Sequence, residues 1–410
     1  MTWLVVSVGL LLLVFIHELG HFTVALAVGI RPRSFYVGFP PAIVKVKRKG
    51  IEYGIGVIPL GGLVRIPGMH RPASNDLVAF MAAAVREDPA LSPYVQRVRR
   101  ALEAGDYAEA HAALPELRSA IEEAQLSRGA LRSANRALRE VDEGTGDDAY
   151  WRAPTWKRIS VIAAGPAANI LVAFLIFTIV YATGAPTGTA TTRVGEVERN
   201  TPAAVAGLKA ADDVVAVNGK KTATFEQVSK RIRASHGKPI TVTVRRGGSL
   251  VTLGPKPTKR AADGRWIWGF IPETKRVSYP FGHSARLAAN DCWQVATGTV
   301  HAFGAVFHKK ERGQLTSAVG IVRVSQQALQ VGFSYYLQIL GLVSMSLALL
   351  NLLPFLPLDG GHILFSLIER VRRRAVAREV YERVSVVGFG LILLLTFIAL
   401  SNDLGGSTPR

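Results

Sequence analysis

An apolar run of membrane-crossing length, broken only by three ionisable side chains, constrains this chain more than any other feature. Residues 3–30 are almost uninterrupted except for His17, Glu18 and His21, within LLLVFIHELGHFTVAL. A transmembrane helix needs about 20 apolar residues, and ionisable groups inside one are costly and usually functional. The start, Met-Thr-Trp, lacks the positive n-region of a signal peptide, and the run is too long for one. Three further runs, at 159–183, 334–357 and 384–400, complete four expected transmembrane helices.

The net charge of +19 over 410 residues would suit a nucleic-acid partner, but the basic residues cluster beside the apolar runs instead. Arg31, Arg33, Lys45, Lys47, Arg48 and Lys49 follow the first run, and Arg152, Lys157 and Arg158 precede the second. Arg370, Arg372, Arg373, Arg374, Arg378 and Arg383 lie between the third and fourth. Lysine and arginine gather on the cytoplasmic side of a membrane. The expectation is therefore a multi-pass protein of the inner (cytoplasmic) membrane, with both termini and residues 184–333 outside and residues 31–157 and 370–383 inside. The basicity is then topology, and no nucleic acid is called for. The single cysteine, Cys292, excludes a disulfide framework and a cysteine-rich zinc site; it reads as a small apolar filler.

Three segments between the runs look soluble. Residues 71–150 carry apolar residues at helical spacing, with turns expected at Gly105 and Pro115, and predict two or three amphipathic helices. One stretch, LEAGDYAEAHAAL, is like a single unit of a helical repeat, and a solenoid needs about three. Residues 188–275 alternate short strands, turns and one helix: VVAVNGK runs into an Asn-Gly turn, PITVTVRR alternates with period two, and FEQVSKRIRASH is amphipathic. This segment resembles a PDZ domain of the bacterial protease type, on Thr201, Pro202, Ala203, Ala206, Gly207, Leu208, Asp213, Asn218 and Gly219. PDZ domains take extended peptide by β-addition. Residues 281–333 read as an amphipathic helix over 281–310 followed by a linker.

His17, Glu18 and His21 form an H-E-x-x-H pattern. On a helix, positions i and i+4 share a face about 5–6 Å apart at Cβ, so the two imidazoles can hold one zinc ion with Glu18 beside it as a base. Zinc would lower the pKa of a bound water towards ~7. A catalytic zinc wants a third protein ligand and an open position. Asp359, in NLLPFLPLDGGHILF, is the outstanding acid at membrane depth, and His362 is the alternative. Pro354 and Pro357 forbid regular helix there, and Gly360-Gly361 permit a tight turn. Both the histidine pair and Asp359 fall towards the expected cytoplasmic ends of their runs.

Five blocks, in order, resemble the site-2 protease family of zinc intramembrane metalloproteases, most of all its bacterial branch with a PDZ domain. They are HELGH at 17–21, VGF at 37–39 with EYGIGVIPLGGLVRIPG at 52–68, AAGPAAN at 163–169, the PDZ-like stretch, and NLLPFLPLDGGH at 351–362. The resemblance covers residues 1–69 and 155–400. It implies a multi-pass α-helical membrane protein with four transmembrane helices, a membrane-associated β-hairpin and an extracytoplasmic α/β PDZ domain. The implied divisions are 1–30 and 31–70, the insertion 71–150, 157–183, 188–275, 281–333, 334–369 and 384–401. It further implies that His17, His21 and Asp359 bind one Zn2+ and that Glu18 is the general base. Asn351 would hold the substrate main chain, though a helix-ending polar cap is its plainer reading. Gly165, Pro166 and Asn169 would pack the second helix against the catalytic ones. Residues 43–66 would form the hairpin, with turns at Lys49-Gly50 and Gly61-Gly62, and offer a strand edge to an unwound substrate helix.

The chain departs from the pattern in three ways. Pro357 falls one position later than usual, a single PDZ-like segment is present, and nothing carries over to the insertion. The implied function is cleavage of transmembrane segments in single-span proteins, such as a pre-trimmed anti-sigma factor or remnant signal peptides, with the trimmed end or a peptide C-terminus at the PDZ domain. The alternatives are a catalytically inactive PDZ adaptor and, last, a zinc transporter, for which the runs offer only one polar cluster.

Overall fold

The computed structural model describes residues 2–261, 264–305, 317–376 and 378–404. The first apolar run is helix α1, Thr2–Ala27. It leads into two long strands, β1 (Ser34–Arg48) and β2 (Ile51–Arg65). Lys49 and Gly50 between them both have positive φ, +48° and +80°, the backbone of a two-residue hairpin turn.

The pairing is more than a hairpin. Ser34, Phe35, Tyr36 and Val37 lie opposite Glu52, Tyr53, Gly54 and Ile55 on one side, and opposite Arg65, Val64, Leu63 and Gly62 on the other. The expected turn at Gly61-Gly62 is absorbed into β2, which folds back there so that its last residues reach the free side of β1. Gly61, at φ +152°, sits in a region that only glycine occupies without strain. Beyond Ala42, Val44 and Val46 alternate with Lys45 and Lys47. Val44, Val46, Ile55 and Val57 are all more than half exposed, so the sheet edge has an apolar face alternating with a basic one.

The insertion forms five helices rather than two or three: α2 (Ser74–Glu87), α3 (Ser92–Ala104), α4 (Tyr107–Ala112), α5 (Leu114–Glu123) and α6 (Arg128–Thr145). Gly105 ends α3 in the left-handed region at φ +73°, and Asp106 then caps α4 by accepting the Glu109 N–H. Pro115 does not turn the chain. It lies in the first turn of α5, where its missing N–H costs nothing. Leu77, Met81, Val98, Leu117, Ile121 and Leu138 make the core. Glu87 at the end of α2 accepts from Ser127 N (2.7 Å) and Oγ (2.8 Å) at the start of α6. Arg65 at the end of β2 pairs with Glu143 at 2.6 Å, and Arg33 grips Asp148 at 2.7 and 3.0 Å. Both contacts fall at the C-terminal end of the insertion and tie α6 and the residues just after it to the sheet.

Helix α7 (Thr155–Gly184) is the second apolar run, with Pro166 inside it. Beyond it, residues 175–291 with 331–338 form a separate compact unit. Here strands β3 (Ala185–Val197), β4 (Asp213–Val217), β5 (Lys220–Lys221), β6 (Pro239–Arg246) and β7 (Ser249–Pro257) are followed by a short pair, β8 (Lys259–Arg260) with β9 (Trp266–Ile267), and by β10 (Phe270–Val277). The sheet order is β10-β3-β4-β6-β7, with β5 on β4. A short helix α8 (Pro202–Val205) and helix α9 (Phe225–Arg233) complete it. Ile240, Val242 and Val244 alternate inward on β6 and meet Val228 and Ile232 of α9 around Trp268. The Asn218-Gly219 turn has both φ positive, +50° and +72°. Buried Asp212 accepts from two guanidinium nitrogens of Arg246, Nε at 2.7 Å and Nη2 at 2.6 Å.

Helix α10 covers Phe281–Ala305; residues 306–310 of the expected amphipathic helix lie outside the described residues. The expected linker is largely helical instead, as α11 (Ala318–Val331), because AVGIVRVSQQALQV holds no proline and its one glycine falls in the first turn. The third apolar run is α12 (Phe333–Asn351). Its helix stops six residues short of the expected 357, since Pro354 removes a donor and disfavours helix in the residue before it. A new helix, α13, begins at Asp359 and runs to Arg372. Side-chain bulk is excluded at this bend: a Cβ on Gly360 would lie 2.2 Å from the Leu352 carbonyl oxygen. Helix α14 (Arg378–Leu404) is the fourth run. Among the described residues, four helices, Thr2–Ala27, Thr155–Gly184, Phe333–Asn351 and Val380–Ser401, are long and apolar enough to cross a membrane.

Candidate metal centre

Helical periodicity alone puts His17 and His21 on one face of α1, one turn apart. Both are buried, their rings meet edge to face with centroids 4.9 Å apart, and their Nε2 atoms are 3.3 Å apart. His21 Nδ1 lies 2.8 Å from the Val161 carbonyl oxygen of α7. A carbonyl only accepts, so Nδ1 carries the proton and Nε2 presents its lone pair. Asp359, the first residue of α13, brings Oδ2 to 3.2 Å from His17 Nε2 and 3.4 Å from His21 Nε2.

Three electron-pair donors thus converge in a buried place, and Asp359 Oδ2 has no aligned hydrogen bond there. Oxygen and nitrogen lone pairs held so close repel unless a cation lies between them. Tetrahedral zinc with bonds of about 2.0–2.1 Å holds neighbouring ligand atoms about 3.3 Å apart. The donor set and its spacing therefore suit zinc. His362, the alternative third ligand, lies one turn along α13 and is not among the three groups that converge.

Glu18 is half-buried and its carboxylate lies beside the backbone of Val64 in β2. That contact needs β2 close to α1: a Cβ on Gly62 would lie 2.3 Å from Glu18 Cγ. Glu18, the histidine pair and Asp359 face a cavity of about 640 Å3, walled on one side by Gly61–Val64 and on another by Asn351. Asn351, the last residue of α12, donates to the Leu347 carbonyl at 3.0 Å, and its side-chain oxygen accepts from no backbone group among the described residues.

The second helix sits as close as chemistry permits. A Cβ on Gly165 would come within 2.3 Å of His21 Nε2. Asn169 is fully buried, and its carbonyl oxygen accepts from Ser344 of α12 at 2.9 Å, tying the second helix to the third. Neither side-chain amide atom of Asn169 has a hydrogen-bond partner among the described residues. Sequence reasoning overlooked three contributors. Gly20 lets α1 touch α7, where a Cβ would meet the Ala164 oxygen at 2.4 Å. Val161 orients His21 through its backbone, and Gly62 admits Glu18. Gly20 carried a signal, since small residues mark close helix–helix approach in membranes; a backbone carbonyl carries none.

Buried donors for zinc, two on a helix of membrane-crossing length and the third just past the end of another, define a class of protein: metal-dependent hydrolases of the membrane. The profile of peptidase family M50 matches residues 5–395, so the chain belongs to that family, the site-2 proteases, and is a zinc metalloprotease. Relatives agree across nearly their whole lengths. A Lactococcus lactis protein named as a zinc metalloprotease is 30% identical over 96% of this chain and 96% of its own. One from Agrobacterium fabrum, also so named, is 29% identical over 96% and 93%. Zinc metalloprotease RasP of Geobacillus kaustophilus is 29% identical over 96% and 95%.

Proposed function

We propose that the chain cleaves peptide bonds within the membrane-crossing segments of single-span proteins, with His17, His21 and Asp359 holding one zinc ion and Glu18 as general base. The observation that carries this is the convergence of the three donor atoms beside Glu18 on one cavity. Zinc bound there would supply a Lewis acid to activate water and polarise the scissile carbonyl. Glu18 takes a proton on its carboxylate and returns it to the leaving amine. Asn351 hydrogen-bonds the substrate main chain. A substrate helix hides its amides in i→i−4 bonds, and an unwound stretch needs new partners that lipid cannot provide. The Gly61–Val64 edge of β2, next to Glu18, supplies them by β-addition.

The unit at 188–275 acts as a PDZ domain outside the membrane, receiving a peptide C-terminus or trimmed end. Its Thr201-capped α8, its Asn218-Gly219 turn and the packing of α9 on the sheet support that reading. Candidate substrates are a pre-trimmed anti-sigma factor and remnant signal peptides. The basic residues beside the helix ends support the orientation, with residues 31–157 and 370–383 in the cytoplasm. Comparing membrane fragments that accumulate in a Glu18→Gln strain with those in the parent tests the proposal. No accumulating single-span fragment would refute it.

A further inference from the structure

We infer that the chain carries a site for an anionic lipid headgroup, distinct from the metal centre, where α7, α13 and α14 reach the membrane surface. A cavity of about 300 Å3 opens there, within the ordinary size range of small-ligand sites. Five arginines line it, Arg71, Arg158, Arg370, Arg373 and Arg374, against one acid, Glu369.

That acid is already committed. Its Oε2 takes Arg158 at 2.7 Å and its Oε1 takes the Val376 N–H at 2.9 Å. The Arg158–Glu369 pair is buried, fixes the cavity floor and cancels one charge. Arg71 stacks on the Trp151 ring at 4.7 Å, which orients its guanidinium without neutralising it. Arg370, Arg373 and Arg374 have no acidic partner among the described residues. Arg370 is in the last turn of α13, where a cation is favoured, but Arg373 and Arg374 lie past its end. Four uncompensated guanidiniums around one hollow repel one another. The group that relieves this is a phosphate, whose oxygens match the fork of arginine.

Position selects the source. Arg158 is in the first turn of α7, and Tyr381, which also lines the cavity, starts the apolar part of α14. The cavity is therefore level with the ends of two membrane-crossing helices. Exposed Leu367 and Val371 flank Arg370 on α13, giving acyl chains an apolar surface beside the phosphate. Basic pockets between helix ends at the cytoplasmic leaflet suit anionic headgroups; this placement rests on the orientation proposed above.

The test uses the full-length protein in nanodiscs of phosphatidylcholine with increasing phosphatidylglycerol, followed by native mass spectrometry of the lipids retained. Nanodiscs offer the same lipids to both faces, so the result does not depend on the orientation. Wild type should retain phosphatidylglycerol selectively. The R370Q/R373Q/R374Q variant should lose that preference by at least about tenfold, with zinc content unchanged. All three side chains are exposed, and the single variant Arg374→Gln, expected to show a partial loss, serves if the triple variant does not fold. Arg383→Gln, a charge on α14 outside the cavity, should retain the lipid. Equal retention by the wild type and the triple variant, or equal loss in Arg383→Gln, would overturn the site. Saturation by inorganic phosphate with no lipid selectivity would overturn the lipid as its source.

Discussion

At the scale of single residues, the site is a matter of tenths of an ångström. Glu18 is proposed to move protons and not to hold metal, so Glu18→Gln should lower kcat by about 10² to 10⁴ while metal analysis finds zinc unchanged. Loss of zinc in that variant would reassign Glu18 as a ligand. Gly165→Ala makes a different prediction. Its methyl would intrude on His21 Nε2, where only 2.3 Å is open, and the imidazole must turn away. Zinc affinity should fall about 10- to 100-fold, read by competition with a chromophoric chelator. An unchanged affinity would show that α7 has room to retreat.

Elements convert these contacts into architecture. Helix α13 delivers Asp359 because the bend before it is sharp, and the buried Arg158–Glu369 pair at its far end holds it against α7. In the sheet unit, burial pushes the Asp212 carboxyl up, but the hydrogen bonds from Arg246 and from Lys209 N–H outweigh it and hold its pKa below the ordinary value. A carboxylate depressed on folding stabilises the fold above its unfolded pKa of about 3.9, and that stability is lost as pH falls through the lower folded value. Amide exchange in β4 and β6 should therefore accelerate in strong acid. In Asp212→Asn the same amides should already be less protected at neutral pH, by about 1–3 kcal/mol, with little further loss on acidification. Equal protection in both proteins at neutral pH would show that the pair contributes nothing net.

On the scale of the whole molecule, metal and fold should separate. Four helices packed on apolar faces do not need zinc to stay together, unlike a small zinc finger. A chelator should abolish hydrolysis, and added zinc should restore it, with far-UV circular dichroism unchanged throughout. Collapse of the helical signal on chelation would make the metal structural. Orientation is equally open to test, because Cys292 is the only native thiol. With Cys292→Ser as background, Ser92→Cys and Lys220→Cys should react from opposite sides of the membrane with an impermeant thiol reagent. Labelling from the same side would overturn the proposed topology.

Much of this was legible from residues alone. Apolar runs of bilayer length and the H-E-x-x-H spacing are local signals: hydrophobic cost and helical period act on neighbouring residues, and both survive being read one residue at a time. The break at Pro354 was legible for the same reason. Between the two candidate third donors, only the tertiary structure showed that Asp359 and not His362 lies against the histidine pair, because the bend before α13 sets which side chain points back at α1. It also turned a simple hairpin into a sheet that folds over itself, since Ser34–Val37 finds partners on both edges. Five helices replaced two or three in the insertion, where short turns between alanine-rich helices leave little trace in composition. The close approaches at Gly20, Gly62 and Gly165 belong to this second group, because a missing side chain says that space is needed but not what will fill it.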